Sequence, residues 1–202
     1  LTFFPGIVDE VLAYLRELRP RVRRLKKFGS LADLYAPAQL AELSALLGVR
    51  YANTFGSTET GMPPASAGVL SADGPPYDYA KAQSSLCTVR LVDEAGHDVP
   101  RGAPGELVMR GPTLFSGYWN APDATADAFR DGWYHSGDVF VEGDDGRVSF
   151  VDRVKYLIKS GGENIYPAEI ERVVLAHPDV AEAVVVRRRD ARWGEVPVLV
   201  AS

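Results

Sequence analysis

Cysteine is almost missing from this sequence: Cys87 is the one thiol in 202 residues. A single thiol excludes an internal disulfide framework and fits a reducing, cytoplasmic compartment, with Cys87 an inert side chain. Histidine is scarce too, with three residues and no second ligand at metal-binding spacing, so these side chains do not make a metal site. No apolar run reaches the roughly 18 residues that a membrane-spanning helix needs. The opening "LTFFPGIVDE" lacks both the basic region and the cleavage site of a secretory signal. An excess of positive charge is also absent: 22 basic against 27 acidic residues give a net charge of -5, so no global field favours nucleic acid or an anionic membrane. There is no internal repeat, no low-complexity segment and no initiator Met. With the stop at "VPVLVAS", directly after a strand-forming run, the missing Met leads us to expect a piece of a longer protein. What is present is 46% hydrophobic residues, enough for a substantial core.

The helical spacing of Ile7, Val8, Val11, Leu12, Leu15 and Leu18 predicts an amphipathic helix ended by Pro20. The six basic residues of "RPRVRRLKKF" that follow are read as a solvated face rather than a phosphate patch. A second helix is expected from Pro37 to Gly48, then a strand at "VRYANTF". Residues 62–84, rich in Pro, Gly, Ala and Ser, are expected to be loop and crossover. Beyond them "LCTVRLVD", "ELVMR", "VFVE" and "RVSFV", separated by "EAGHD" and "GDDG", predict a small, mostly antiparallel sheet or barrel, with Asp144 and Asp145 in a hairpin turn. Strand-like "YLI", the glycine turn "KSGGEN", a helix opened by Pro167 with Ile170, Val173 and Val174 on one face, and two further strands complete the chain. The expected fold class is α/β plus β: the end of an α/β subdomain (1–84), a mostly antiparallel β subdomain (85–152), a hinge (153–156) and the start of a mobile α+β domain (157–202).

Three stretches carry residues suited to chemistry. "NTFGSTETG" (53–61) follows a strand, where open α/β sheets place their ligands. Gly56 permits close backbone approach, Thr58 offers a hydroxyl to a phosphate, Glu59 can hold a divalent cation and Phe55 can cover a base; the same residues also suit a turn that satisfies its own backbone. "WYHSGD" (133–138), between two strand-like segments, ends in Asp138, a carboxylate fit to accept hydrogen bonds from two vicinal ribose hydroxyls, or to cap a turn. "DRVKYLIKSGGENIYPAEIE" (152–171) holds Arg153, a fork of fixed charge that can reach ribose or phosphate, and Gly161 and Gly162, which allow close approach or merely form a turn.

"NTFGSTETG", "GELVMRGPTLFSGYWN", "DGWYHSGD" and "VDRVKYLIKSGGENIYPAEIE" stand in the order and rough spacing of the adenylate-forming superfamily, which this chain resembles over about residues 53–171. The "GGENIYPAEIE" form is similar to the acyl-CoA synthetase branch. The resemblance implies activation of a carboxylic acid, as in fatty acid metabolism, by ATP with Mg2+ to an acyl-adenylate, then transfer to coenzyme A after the C-terminal domain swings about its hinge. It implies Thr58 and Glu59 as catalytic residues, Phe55 against adenine, Gly56 among the nucleotide-binding residues, Thr58 on the α-phosphate, and Glu59 as the Mg2+ ligand. Asp138 would hold the ribose, with Arg153 a second contact; Lys155 would be the hinge, and Gly161 and Gly162 would line the coenzyme A tunnel. Gly29 and Ser30, with Gly61, would wall the acyl and adenine pocket, although Phe28 replaces the first of a usual glycine pair. Phe55 replaces the commoner Tyr, His135-Ser136 stands where a basic residue and Thr are frequent, and Lys159 is taken as an exposed strand lysine. The family's phosphate loop would precede residue 1 and its adenylation lysine would follow residue 202, so this chain alone is not expected to turn over. Two alternatives stand beside this one: an adenylation domain loading a carrier protein, and a non-catalytic nucleotide-binding module.

Overall fold

The computed structural model describes residues 7–19, 23–30, 37–61, 65–70 and 80–202. Helix α1 (Val8–Leu18) buries Val8, Leu12 and Leu15, one stripe at helical spacing. It ends at Arg19, whose left-handed backbone (φ 41°) lets its N–H bond the Leu15 carbonyl; the expected terminator Pro20 lies outside the described residues. Of the basic run, Arg23, Arg24 and Lys26 are solvent-facing. Helix α2 (Pro37–Leu47) lies where the sequence placed it and packs Leu40, Leu43 and Leu47 with the α1 stripe, Phe28 and Tyr51. Arg16 and Glu42 tie the two helices on their exposed side, Nε to Oε1 at 2.6 Å.

Beneath the helices, β1 (Lys27–Ser30) and β2 (Arg50–Phe55) pair in parallel with Gly29 opposite Ala52. The sheet then turns antiparallel. Residues 62–84 are not all loop: β3 (Ala65–Leu70) pairs β2, and β4 (Lys81–Gln83) pairs β3. Small residues such as those of "ASAGVL" carry little strand propensity of their own, and the ladder offered by β2 overrides the composition. From β4 the sheet passes through the single Lys81–Val148 register to β9 (Val148–Arg153), then β8 (Trp133–Glu142), β6 (Pro104–Arg110) and β5 (Thr88–Val92). A short β7 (Phe129–Arg130) flanks β8 and follows helix α3 (Pro122–Ala128), an element absent from the sequence-based expectation. "WYHSGD" lies inside β8 rather than between strands. The 143–146 turn closes the β8–β9 hairpin as expected, Gly143 N–H to Arg147 carbonyl at 2.8 Å.

Val139 and Phe140, neighbours on β8, are both buried because alternation sends them to opposite faces. Phe140 joins Phe55, Leu107, Met109 and Tyr134; Val139 joins Val151 and Tyr166. After a 3₁₀ turn at Val154–Tyr156, which takes in only Tyr156 of the strand-like "YLI", the second sheet runs β11 (Glu163–Ile165), β10 (Ile158–Ser160), β13 (Gly194–Ala201), β12 (Ala183–Asp190). Helix α4 (Pro167–Val174) opens at Pro167, but Val173 is 75% exposed and does not share a buried face with Ile170 and Val174. Ala168 N–H bonds the buried Asp152 carboxylate at 2.9 Å, tying α4 to the end of β9. Among the described residues no helix is long and apolar enough to cross a membrane.

Candidate nucleotide site

β2 ends in Phe55, and the chain turns at Thr58–Thr60. The turn is closed by Thr60, whose buried hydroxyl accepts from the Ser57 N–H at 2.8 Å and donates to the Ser57 carbonyl at 3.1 Å. This is the self-satisfying turn chemistry that Ser and Thr permit. It orients the loop and leaves Thr58 exposed at its tip. Phe55 is 8% exposed and meets Phe140 edge-on, centroids 4.7 Å apart. The ring that the resemblance sets against adenine is thus packed in the core next to the loop.

Glu59 receives the Tyr118 hydroxyl at 3.1 Å, and its carbonyl accepts from the Phe115 N–H at 2.8 Å. A hydrogen bond from the Ser57 side chain, the Tyr118 hydroxyl and the Arg153 charge hold the Glu59 carboxyl below its ordinary range against the opposing effect of burial. It is therefore an anion at neutral pH. Burial pushes the neighbouring Tyr134 hydroxyl up to about 12, with the Glu59 charge adding to the shift.

Across the β8–β9 ladder Asp138 stands opposite Arg153, and Arg153 Nε donates to Asp138 Oδ1 at 2.8 Å. The Asp138 side chain is 13% exposed, the Arg153 side chain 46%. Burial raises the proton affinity of Asp138; the Arg153 charge and hydrogen bond pull it back, and the charges of Glu106 and Glu59 raise it again. The mutual electrostatic influence of Glu59, Asp138 and Arg153 places the three charged candidates in one neighbourhood.

The other candidates are dispersed. Gly29 and Ser30 occupy the end of β1, opposite Ala52 and Asn53. Gly61 (φ 64°) comes so near the next loop that a Cβ would lie 2.9 Å from the Thr113 carbonyl oxygen; residues 62–64, which follow it, lie outside the described residues. Lys155 is exposed in the 3₁₀ turn, its ammonium 4.7 Å from the centre of the Tyr156 ring. Gly161 (φ 59°) and Gly162 (φ 92°) form the β10–β11 turn; a Cβ on Gly161 would meet the Trp193 indole at 2.5 Å, whereas Gly162 faces open space. No hydrogen bond or ion pair among the described residues joins this turn to Glu59, Asp138 or Arg153. Lys159 is an exposed strand residue, and its ammonium pairs with Glu94.

Several residues at the site carried no signal in the sequence. Thr60 and Tyr118 lie in quoted motifs but gain a role only through contacts across the fold. Glu106 accepts from the Gly137 N–H, and its other oxygen lies 2.8 Å from His135 Nδ1, beside Asp138. Lys81, wholly buried with its ammonium 5.9 Å from the Phe140 ring centre, lies in a stretch that composition marks as loop. Glu106 lies in the quoted "GELVMRG", but only the β6–β8 pairing brings it beside "WYHSGD".

The chain thus combines an α/β sheet that turns antiparallel, a hydroxyl-rich loop at a strand end and a carboxylate–guanidinium pair on adjacent strands. The chain belongs to the AMP-binding enzyme family, whose profile matches residues 1–119; the profile of the AMP-binding enzyme C-terminal domain matches residues 169–202. It is 43% identical over 164 residues to a feruloyl-CoA synthase of an Amycolatopsis species, covering 79% of this chain and 32% of that protein. To the fatty acid–[acyl-carrier-protein] ligase ScoC of Streptomyces coeruleorubidus it is 41% identical over 167 residues, 78% of this chain and 31% of that protein. Its fold is similar to that of o-succinylbenzoate coenzyme A synthetase from Bacillus subtilis in complex with ATP and magnesium ion, with a TM-score of 0.77 and 27% identity over 99% of this chain and 40% of that one. The chain thus spans about a third of the length of the curated relatives it matches.

Proposed function

We propose that this chain is part of an AMP-forming acid–thiol ligase, which activates a carboxylic acid with ATP and passes the acyl group to coenzyme A. One observation carries this reading within the family: Asp138 and Arg153 form a cross-strand ion pair in electrostatic reach of the Glu59 loop. Asp138 Oδ1 holds Arg153, and the carboxylate keeps further acceptor capacity for the vicinal hydroxyls of a ribose. Arg153 supplies fixed positive charge beside the phosphates, and Thr58 offers its hydroxyl to the α-phosphate.

Two steps make up the reaction. The substrate carboxylate oxygen bonds to the α-phosphorus of ATP as the bond to pyrophosphate breaks; the thiol sulfur of coenzyme A then bonds to the acyl carbon as the bond to AMP breaks. Both transition states gather negative charge, so the chain's residues contribute by positioning and by electrostatic stabilisation. Among the described residues no group of three or more His, Cys, Asp or Glu gathers to hold a metal. A lone anionic carboxylate such as Glu59 fits Mg2+, which is held mostly by substrate phosphates and water and needs only one or two protein carboxylates. When bound there, Mg2+ would neutralise phosphate charge.

We read 153–156 as the hinge between an adenylating part (1–152) and a small domain (157–202); the single 3₁₀ turn between the two sheets, with Lys155 exposed, supports it. Gly161 and Gly162 would line the coenzyme A tunnel once the small domain swings. The lone buried thiol Cys87 suits a cytoplasmic setting. A second acceptor, a carrier protein instead of coenzyme A, is favoured by the likeness to the acyl-carrier-protein ligase. The test is carboxylate-dependent exchange of pyrophosphate into ATP by the full-length protein, across aryl and fatty acids, followed by AMP release on adding coenzyme A. Failure of every acid to support exchange refutes the reading; exchange with release driven only by a phosphopantetheinylated carrier protein selects the second acceptor.

A further inference from the structure

The β6–β8 ladder loses its regular register between Glu106 and Val108, opposite the point where β8 reaches Asp138. At this irregularity Gly137 has φ 71°, a left-handed conformation that side-chain-bearing residues rarely adopt. Glycine takes it up freely, and two side chains fix it in this one arrangement. The Glu106 carboxylate accepts the Gly137 N–H on Oε1 at 3.0 Å. The Ser136 hydroxyl donates to the Leu107 carbonyl at 2.6 Å and accepts the Asp138 N–H at 3.1 Å. Both peptide units that lead into Asp138 are therefore fixed from β6.

Glu106 is itself held. Its side chain is 16% exposed, and Oε2 lies 2.8 Å from His135 Nδ1 and 3.6 Å from Arg130 Nη2. Arg130 Nη2 is also 2.7 Å from the same His135 Nδ1, and the Arg130 guanidinium donates to the Asp127 carbonyl at 2.6 Å. One ring nitrogen serves one of these partners at a time: protonated it donates to Glu106, unprotonated it accepts from Arg130. In either arrangement a donor or a cation faces Oε2, which leaves Oε1 to the Gly137 amide. A carboxylate-to-amide bond is of the stronger, charge-assisted kind.

We propose that Glu106 is a positioning residue for the nucleotide site: by clamping the Gly137 amide it sets the Asp138 carboxylate where the ribose meets it, with His135 and Arg130 holding the clamp. This rests on the reading of Asp138 as the ribose acceptor. Glu106 acts through backbone geometry, so its removal should weaken nucleotide binding more than it slows the chemical step.

The experiment uses the full-length protein, with KM for ATP and kcat from pyrophosphate exchange and AMP affinity from calorimetry. Glu106→Ala should raise KM for ATP and weaken AMP binding roughly tenfold, the scale of one lost charge-assisted bond, with a smaller change in kcat. Glu106→Gln, whose amide oxygen still accepts from Gly137, should recover most of that loss. Glu106→Asp, one methylene shorter but equally charged, should behave like Ala, and it supplies the same readout if the Ala variant does not accumulate. Added to Asp138→Ala, Glu106→Ala should weaken binding little further, because the residue it positions is already gone. A fall in kcat and melting temperature at unchanged KM for ATP would overturn the proposal, as would multiplicative losses in the double variant. Unchanged AMP affinity in Asp138→Ala alone, with active wild type, refutes the ribose reading and this proposal with it; absence of exchange in wild type refutes the ligase reading instead.

Discussion

Asp138→Ala is expected to move binding and folding stability by unequal amounts and in opposed senses. The Asp138 carboxylate is mostly buried, and burial raises its proton affinity more than Arg153 lowers it. Its folded pKa therefore lies above the 3.8 of an unperturbed aspartate. The sign follows from proton linkage: the native state binds the proton more tightly than the unfolded chain. This residue's contribution to stability is at its best below the unfolded value and is lost as pH rises through the folded one, so at neutral pH its charge is a burden on folding. Removing the carboxylate lifts that burden. It also removes the pair with Arg153, but Arg153 is 46% exposed and such a half-solvated pair is worth only ~0–1 kcal/mol.

Nucleotide binding should respond differently. A bound ribose that loses its charged acceptor costs roughly 1.5–3 kcal/mol, or roughly 10- to 150-fold in Kd. Calorimetric titration of the full-length variant with ATP and AMP gives the binding arm, and urea midpoints between pH 4 and pH 8 give the stability arm. The expected result is weaker binding in a protein at least as resistant to urea at neutral pH, its advantage over wild type shrinking toward pH 4. Unchanged ATP affinity refutes the ribose assignment. Weaker binding matched by lower urea resistance, greatest at neutral pH, refutes the electrostatic reasoning.

Gly161→Ala should destabilise the small sheet more than Gly162→Ala, because only the first forces a methyl into Trp193; the left-handed backbone alone costs about 1 kcal/mol at either position. If Gly162→Ala, which has room, leaves pyrophosphate exchange intact but slows coenzyme A-dependent AMP release, the turn has its expected tunnel role; equal rates in both half-reactions leave it a turn. Thr60→Val should cost about 1–3 kcal/mol in urea unfolding, since the Ser57 N–H loses its acceptor in a well-packed turn; a cost within error means that the hydroxyl does not hold the loop. Tyr134, its hydroxyl pushed up to about 12, should be the last tyrosine to ionise near the site in an ultraviolet titration of wild type against Tyr134→Phe; loss of a transition near pH 10 in the variant contradicts that.

Elements that supply their own cause were legible in the sequence. The α1 stripe, the α2 span, the glycine turn before α4 and the partly alternating strands β6 and β9 each follow from a local period, a local turn residue or an apolar run. Strands β3 and β4 were not legible, because small and polar residues extend there only when β2 and β9 offer them a ladder. Helix α3 is the shortest α-helix among the described residues, and its seven residues include no buried one, so no apolar period marks it. Val173 matched a helical face in spacing, yet the small sheet does not cover that side of α4.

The same distinction runs through the site. Asp138 and Arg153 can each be picked out singly, because a carboxylate after a glycine suits ribose hydroxyls or a turn cap and a guanidinium suits ribose or phosphate. Their being cross-strand partners is another kind of fact, set by the β8–β9 register and by the irregularity between Val139 and Phe140. Glu106 is the extreme case: in "GELVMRG" it precedes an apolar run, where a glutamate reads as the solvent-facing start of a strand. Its partners come from β8 and from the end of β7, brought to it by pairings that no local pattern announces. A motif therefore marks the residues that touch substrate more readily than those that hold them in place: the former must be of one chemical kind, while the latter need only an acceptor at the right end of a neighbouring strand.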